Sequence, residues 1–262
     1  MKPVLAAICL LCATTFFTFA QEPERKVPQD PNAAGEGAKI EPKEKPRITK
    51  IGDSRFKLGE IEFDAKTKEI FIPTVVNKRE GGPIEYLLVH ENGKIHESIL
   101  VTDVSPLHLQ IVLKLLKYKG GYGNVFDPLL PAAEQVGTDL NNGQQLDVVA
   151  KWTPKSESGD GESPEPVTMN LCTWIIDGAD AKPMPVEPWT YTGSEVRRGN
   201  YMAEVEGSLI ATYLDPVAIF NMTRKGADRD DRWGANGEAI PEIGQRVTVI
   251  LKAAGGAGAE KK

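Results

Sequence analysis

Three histidines, His90, His96 and His108, fall within 19 residues and are interleaved with Glu91, Glu97 and Asp103. Imidazole beside carboxylate is the combination that holds a divalent metal or moves a proton, since both groups are metal donors and imidazole titrates near physiological pH. No His-Glu-x-x-His run is present, and these spacings match no specific metal motif. The three histidines and the carboxylates among them are therefore the candidate metal or acid/base residues, and no residue is assigned a catalytic role.

The elements around these residues decide whether they meet. Asn92-Gly93 between two apolar runs is a strong hairpin signal and predicts a two-residue type I′ loop. In that register His90 faces Ile95 and Val89 faces His96, so His90 and His96 point to opposite sides. On the apolar side His90 and Glu97 are diagonal neighbours, and a hydrogen-bonded pair there would serve the fold, because a buried carboxylate needs a partner. His96 is left free on the more polar face. Ser105 is a good N-cap and Pro106 suits the first helical position, which puts His108 in the first turn of a helix, where neutral imidazole is favoured. His96, Asp103 and His108 converge if that helix packs over the hairpin's polar face; otherwise the same residues are structural.

Other signals carry less chemistry. Asp228-Arg229-Asp230-Asp231 with Asn236 and Glu238 resembles a calcium loop, but Trp233 stands where the turn glycine belongs and Ala239 where the closing glutamate belongs. Gly120-Gly121-Tyr122-Gly123 follows a helix, so it reads as a helix stop and not as a dinucleotide cradle. Ser98, Ser194 and Ser208 lack a Gly-x-Ser-x-Gly setting. Trp152, Trp174, Trp189 and Trp233 are read as core or core-edge residues and not as a ligand groove.

The ends of the chain set its expected location. Lys2 followed by the apolar run Pro3 to Phe19 and Thr18-Phe19-Ala20 reads as a signal peptide over residues 1–20, with Gln21 as the first mature residue and an uncleaved anchor as the alternative. Its removal takes Cys9 and Cys12 and leaves Cys172 alone, expected as a buried, inert thiol with no disulfide to make. No later segment is long and apolar enough to span a membrane, so no transmembrane segment is expected in the mature chain. The chain has 31 basic and 37 acidic residues with no compensating basic cluster, which argues against nucleic acid as a partner.

Residues 21–50 are rich in Pro, Glu, Lys and Gly and predict a disordered linker, as does the tail 253–262; residues 153–166 predict a flexible loop. Between them, residues 51–252 read as one domain of short strands: 56–63, 69–76, 84–90, 95–102, 145–152, 167–176, 201–206, 208–214 and 246–252. One helix from Pro106, apolar on most faces and stopped at Gly120-Gly121, and a short helical stretch over 217–221 complete the prediction. The expected fold is mainly β with minor α, antiparallel sheets packed around one long buried helix.

Ile84-Glu85-Tyr86-Leu87-Leu88-Val89, Gly93-Lys94-Ile95-His96-Glu97-Ser98 and Leu107-His108 ahead of the leucine-rich helix resemble the bacterial YdjY-domain family. The resemblance continues through Trp189 to Ser194, Gly207 to Thr212, Asp215 to Asn221 and Gly244 to Val249. It covers residues 57 to 252, implies a single bacterial domain, and singles out His96, Glu97 and His108 without assigning a reaction. Some members carry a ferredoxin-like label, from which this chain departs: one mature cysteine cannot ligate an iron–sulphur cluster that takes four. The expectation is an exported periplasmic or secreted domain, leaning non-enzymatic, that binds an unidentified protein or small-molecule ligand in the envelope. The alternative is a protein or enzyme that uses a divalent metal through the histidine segment.

Overall fold

Alternating apolar side chains give strands that bury one face, and such strands make up most of the regular secondary structure in the described residues, 47–121, 143–155 and 164–255, of this computed structural model. In chain order they are β1 (Ile48–Lys50), β2 (Arg55–Leu58), β3 (Ile61–Asp64), β4 (Ile70–Val76), β5 (Tyr86–His90), β6 (Ser98–Thr102), β7 (Gln145–Trp152), β8 (Val167–Asn170), β9 (Ile175–Asp177), β10 (Trp189–Tyr191), β11 (Val196–Arg197), β12 (Asn200–Tyr201), β13 (Ser208–Ala211), β14 (Phe220–Asn221), β15 (Trp233–Ala235) and β16 (Arg246–Ala253). The helices among the described residues are α1 (Pro106–Leu115) and α2 (Met202–Glu206), with 3-10 turns at Ile95–Glu97 and Leu171–Trp174.

Strands β4, β16, β7, β10, β14, β13, β5 and β6 are hydrogen-bonded in that order, and β4 pairs again with β6. That last pairing closes an eight-stranded barrel, which removes the open edges a flat sheet would leave. Ile70, Ile72 and Val76 of β4, Val247, Val249 and Leu251 of β16, and Leu146, Val148 and Ala150 of β7 point into one core with Leu88, Ile210 and Trp189. Each large aliphatic side chain so buried contributes about 1.5–3 kcal/mol. Outside the ring, β3, β2 and β1 continue antiparallel from the start of β4, and β8 pairs with β7.

This closed barrel corrects the expectation of antiparallel sheets around one long buried helix. Two neighbour pairs in the ring, β5–β6 and β13–β14, are parallel. Helix α1 has 10 residues and buries only one side, through Leu109, Val112 and Leu113, while Leu107 and Leu115 stay 42% and 48% exposed. The leucine-rich sequence suggests burial all round, but a barrel already filled by its own strands needs only a one-sided cover. The N-terminus forms as expected, with the Ser105 hydroxyl accepting from the His108 amide. The C-terminus comes earlier than Gly120: Lys117 takes a left-handed φ of 60°, and the amides of Lys117 and Tyr118 donate to the carbonyls of Lys114 and Leu113. These are the paired bonds of a Schellman cap.

The expected Asn92-Gly93 hairpin is not formed. After His90 the chain doubles back through residues 91–97 and enters β6 parallel to β5, with Tyr86 beside Ser98 and His90 beside Thr102. Residues 212–219 make the matching return between β13 and β14. Tyr86, Val89, Ala211 and Ala218 form a small apolar cluster separate from the main core, at the strands these returns join. Two further readings change. Tyr201–Glu206, read as a strand, is mostly helix α2, consistent with the helix formers Met, Ala and Glu; Val217–Asn221, read as helical, is a turn into β14.

At the margins, β1 lies inside the stretch read as linker, and β16 runs to Ala253. The signal-peptide reading, most of the linker, the centre of the 153–166 loop and the tail beyond Gly255 lie outside the described residues.

Candidate functional site

The histidine segment is divided between the two ends of β6. His96 sits in the 3-10 turn before the strand, its side chain 73% exposed and its Nε2 3.3 Å from Glu97 Oε1. His108 lies past the other end, in the first turn of α1, packed so closely on the β2–β3 turn that a Cβ on Gly59 would stand 2.6 Å from its Nδ1. Five residues of strand separate the two ends, roughly 13 Å at 3.3 Å per step. Among the described residues no group of three or more His, Cys, Asp and Glu is placed to hold a metal ion. His90 accepts a hydrogen bond from the Asn92 amide at Nδ1, and Glu97 pairs with His96, so the expected His90–Glu97 pair is absent.

The Gly93-to-Ser98 block has a structural task. A Cβ at Gly93 would lie 3.0–3.1 Å from the carbonyl oxygens of Glu206, Gly207 and His90, so a side chain there would force the crossing backbones to move apart. Lys94 reaches back to Glu85 at 3.3 Å and lies 5.3 Å from the centre of the Tyr86 ring. Asn77 donates to the carbonyls of Ile95 and Ser98, and Lys78 to that of His96. Burial, only partly offset by Lys94, holds the Glu85 carboxyl above its ordinary value, with the Glu97 carboxyl adding to the rise. Tyr86 donates to Asp215 at 2.8 Å, and burial with that carboxylate pushes its phenol far up.

Asp103 belongs elsewhere, to a groove of about 1090 Å³ on the outer face of the barrel. Here β4 changes partners: β3 pairs with it at Ile70 and Phe71, β6 at Val75 and Val76. The outward side chains of β4 and its neighbours, Phe71, Pro73, Val75, Val101 and Ile250, make an apolar floor, with Val75 40% exposed. The β2–β3 wall is internally neutral: Arg55 pairs with Glu62 at 2.8 Å and lies 4.3 Å from the centre of the Phe71 ring, and Lys57 pairs with Glu60 at 3.0 Å.

Four other charges line the groove with no ion pair among the described residues. Lys151 on β7 and Arg246 on β16 lie on one side, and Glu91 and Asp103, just past β5 and β6, on the other. Lys151 is directly opposite Thr248, and Arg246 is two residues from Thr248 on the same face. The two cations are thus diagonal neighbours, about 7–8 Å apart at the backbone, with a hydroxyl between them. From β7 to β6 is three strand spacings, roughly 14 Å.

Sequence reasoning missed this groove because its charges come from strands far apart in the chain. The signal was the alternation in 246–252, which puts Arg246, Thr248 and Ile250 on one face. Trp152 also lines the groove, edge-on to Trp174 at 5.6 Å, whereas Trp174, Trp189 and Trp233 are buried. Cys172 is buried, its thiol donating to the Glu187 carbonyl. A smaller cleft of about 350 Å³ is lined by Arg224, already bonded to the carbonyls of Pro185 and Glu187, and by Asp177, whose carboxyl the hydrogen-bonded Arg232 guanidinium holds below its ordinary value. No described helix is long and apolar enough to cross a membrane.

A family model described as the YdjY domain matches residues 61–252. No curated protein and no solved structure matches the chain.

Proposed function

This chain belongs to the YdjY-domain family, and we propose that it is an exported, non-catalytic domain that binds a ligand or partner in the groove across β4 and β16. The observation that carries this reading is the groove itself: an apolar floor exposed on a barrel wall, with cations on one side and carboxylates on the other that form no ion pair among the described residues. Its polar groups are spread over roughly 14 Å instead of converging on one point, an arrangement suited to holding an extended ligand rather than to polarising a single bond. Export rests on the apolar, small-residue-terminated pattern of residues 1–20.

The test is a ligand-observed NMR screen of fragments and short peptides against the domain and against Thr248→Trp, which fills the centre of the groove. Hits on the parent that vanish with Thr248→Trp are expected. Hits that survive it, or no hits on either protein, would overturn the reading. For export, N-terminal sequencing of protein recovered from the producing cell is expected to begin at Gln21, and a chain retaining residues 1–20 in the cytoplasm contradicts it.

A further inference from the structure

We infer that the groove takes a short extended peptide carrying both charges, its carboxylate between Lys151 and Arg246 and its cationic group beside Asp103 and Glu91; this rests on the groove being the binding site.

The argument starts from repulsion. Two cations placed as diagonal neighbours on a sheet repel each other and together attract an anion, and neither Lys151 nor Arg246 has an acidic partner among the described residues. Thr248, half-buried between them, offers a hydroxyl that donates to an oxyanion. Across the apolar floor, Asp103 and Glu91 are exposed carboxylates with no cationic partner among the described residues. The other four charges of the groove neutralise one another in the Arg55–Glu62 and Lys57–Glu60 pairs, so they add no net field.

A ligand with one kind of charge satisfies only one side and is repelled by the other. A zwitterionic ligand satisfies both, provided its charges are about three strand spacings apart, roughly 14 Å. An extended chain rises about 3.3 Å per residue, so side chains four residues apart meet that span and point to the same face. The residues between them bring an apolar side chain over Phe71, Pro73 and Val75. Oppositely charged ends thus fix the direction in which the peptide lies.

Calorimetric titration with blocked pentapeptides tests this: Lys-Val-Ala-Val-Glu, the same peptide with Gln at either end, and the doubly neutral Gln-Val-Ala-Val-Gln. The zwitterionic peptide is expected to bind at least about tenfold more tightly than the neutral one, with the gain shrinking as salt rises. In Lys151→Gln/Arg246→Gln the glutamate is expected to lose its effect while the lysine keeps its own; in Asp103→Asn the pattern reverses. Thermal melting of each variant separates lost binding from lost fold, and a variant that fails to fold is replaced by Lys151→Gln or Arg246→Gln alone. Equal binding of all four peptides overturns the inference. So does the absence of peptide binding when fragments still bind in a Thr248→Trp-sensitive way, a result that leaves the groove as the site; the absence of any ligand there ends both readings.

Discussion

At Gly93 and His96 neighbouring residues of one motif have opposite sensitivities. Gly93 is crossed by three backbone carbonyls, so Gly93→Ala is expected to cost about 1 kcal/mol or more, read from the denaturation midpoint. His96 projects into solvent beside Glu97, and His96→Ala is expected to stay within about 0.5 kcal/mol of the parent. A larger loss at His96 than at Gly93 would mean that the imidazole has a structural partner. Glu85 gives a pH signature. Its carboxyl is held above the ordinary value chiefly by burial, so as pH rises through the ordinary range the unfolded chain ionises first and the folded state is penalised. Glu85→Gln removes that penalty, and its stability relative to the parent is expected to increase as pH rises above the ordinary glutamate value; a pH-independent difference would contradict the assignment.

At the scale of elements, α1 is capped from another helix. The Glu204 carboxylate of α2 accepts from the Ser105 hydroxyl and from the Leu107 amide, both at 2.9 Å, placing negative charge at the positive end of α1. Glu204→Ala is expected to cost about 1 kcal/mol and to speed hydrogen exchange at Leu107 and His108; unchanged exchange there would show that Ser105 suffices. Several elements were readable because one local signal decided them: β7 from its β-branched run, β4 and β16 from alternation, and the start of α1 from Ser105-Pro106. Others were not. Asn92-Gly93 has hairpin chemistry, yet the chain there is held by Asn77, Glu206 and Gly207, residues that no local pattern ties to it. Trp189–Tyr191 is buried on both faces and shows no alternation, so β10 escaped notice. Tyr201–Glu206 reads as a strand as a short run between Asn200 and Gly207, whereas Gly207 supplies the left-handed stop of a helix.

For the whole molecule, closure through β4–β6 makes the barrel one cooperative object. Trp174 and Trp189 are fully buried, so their fluorescence and the far-ultraviolet circular dichroism are expected to report one coincident urea transition; two separated transitions would contradict a closed ring. Closure also creates the groove, because β4 must release β3 to accept β6, and no sequence pattern announces that change of partners. The claim that this groove is where the protein binds is tested most directly by hydrogen exchange across residues 47–255, with and without the zwitterionic pentapeptide or any fragment hit. The account predicts new protection at Phe71–Val75 and Arg246–Ile250 with none at Lys94–Glu97; protection confined to Gly93–Glu97 or to the start of α1 would contradict it.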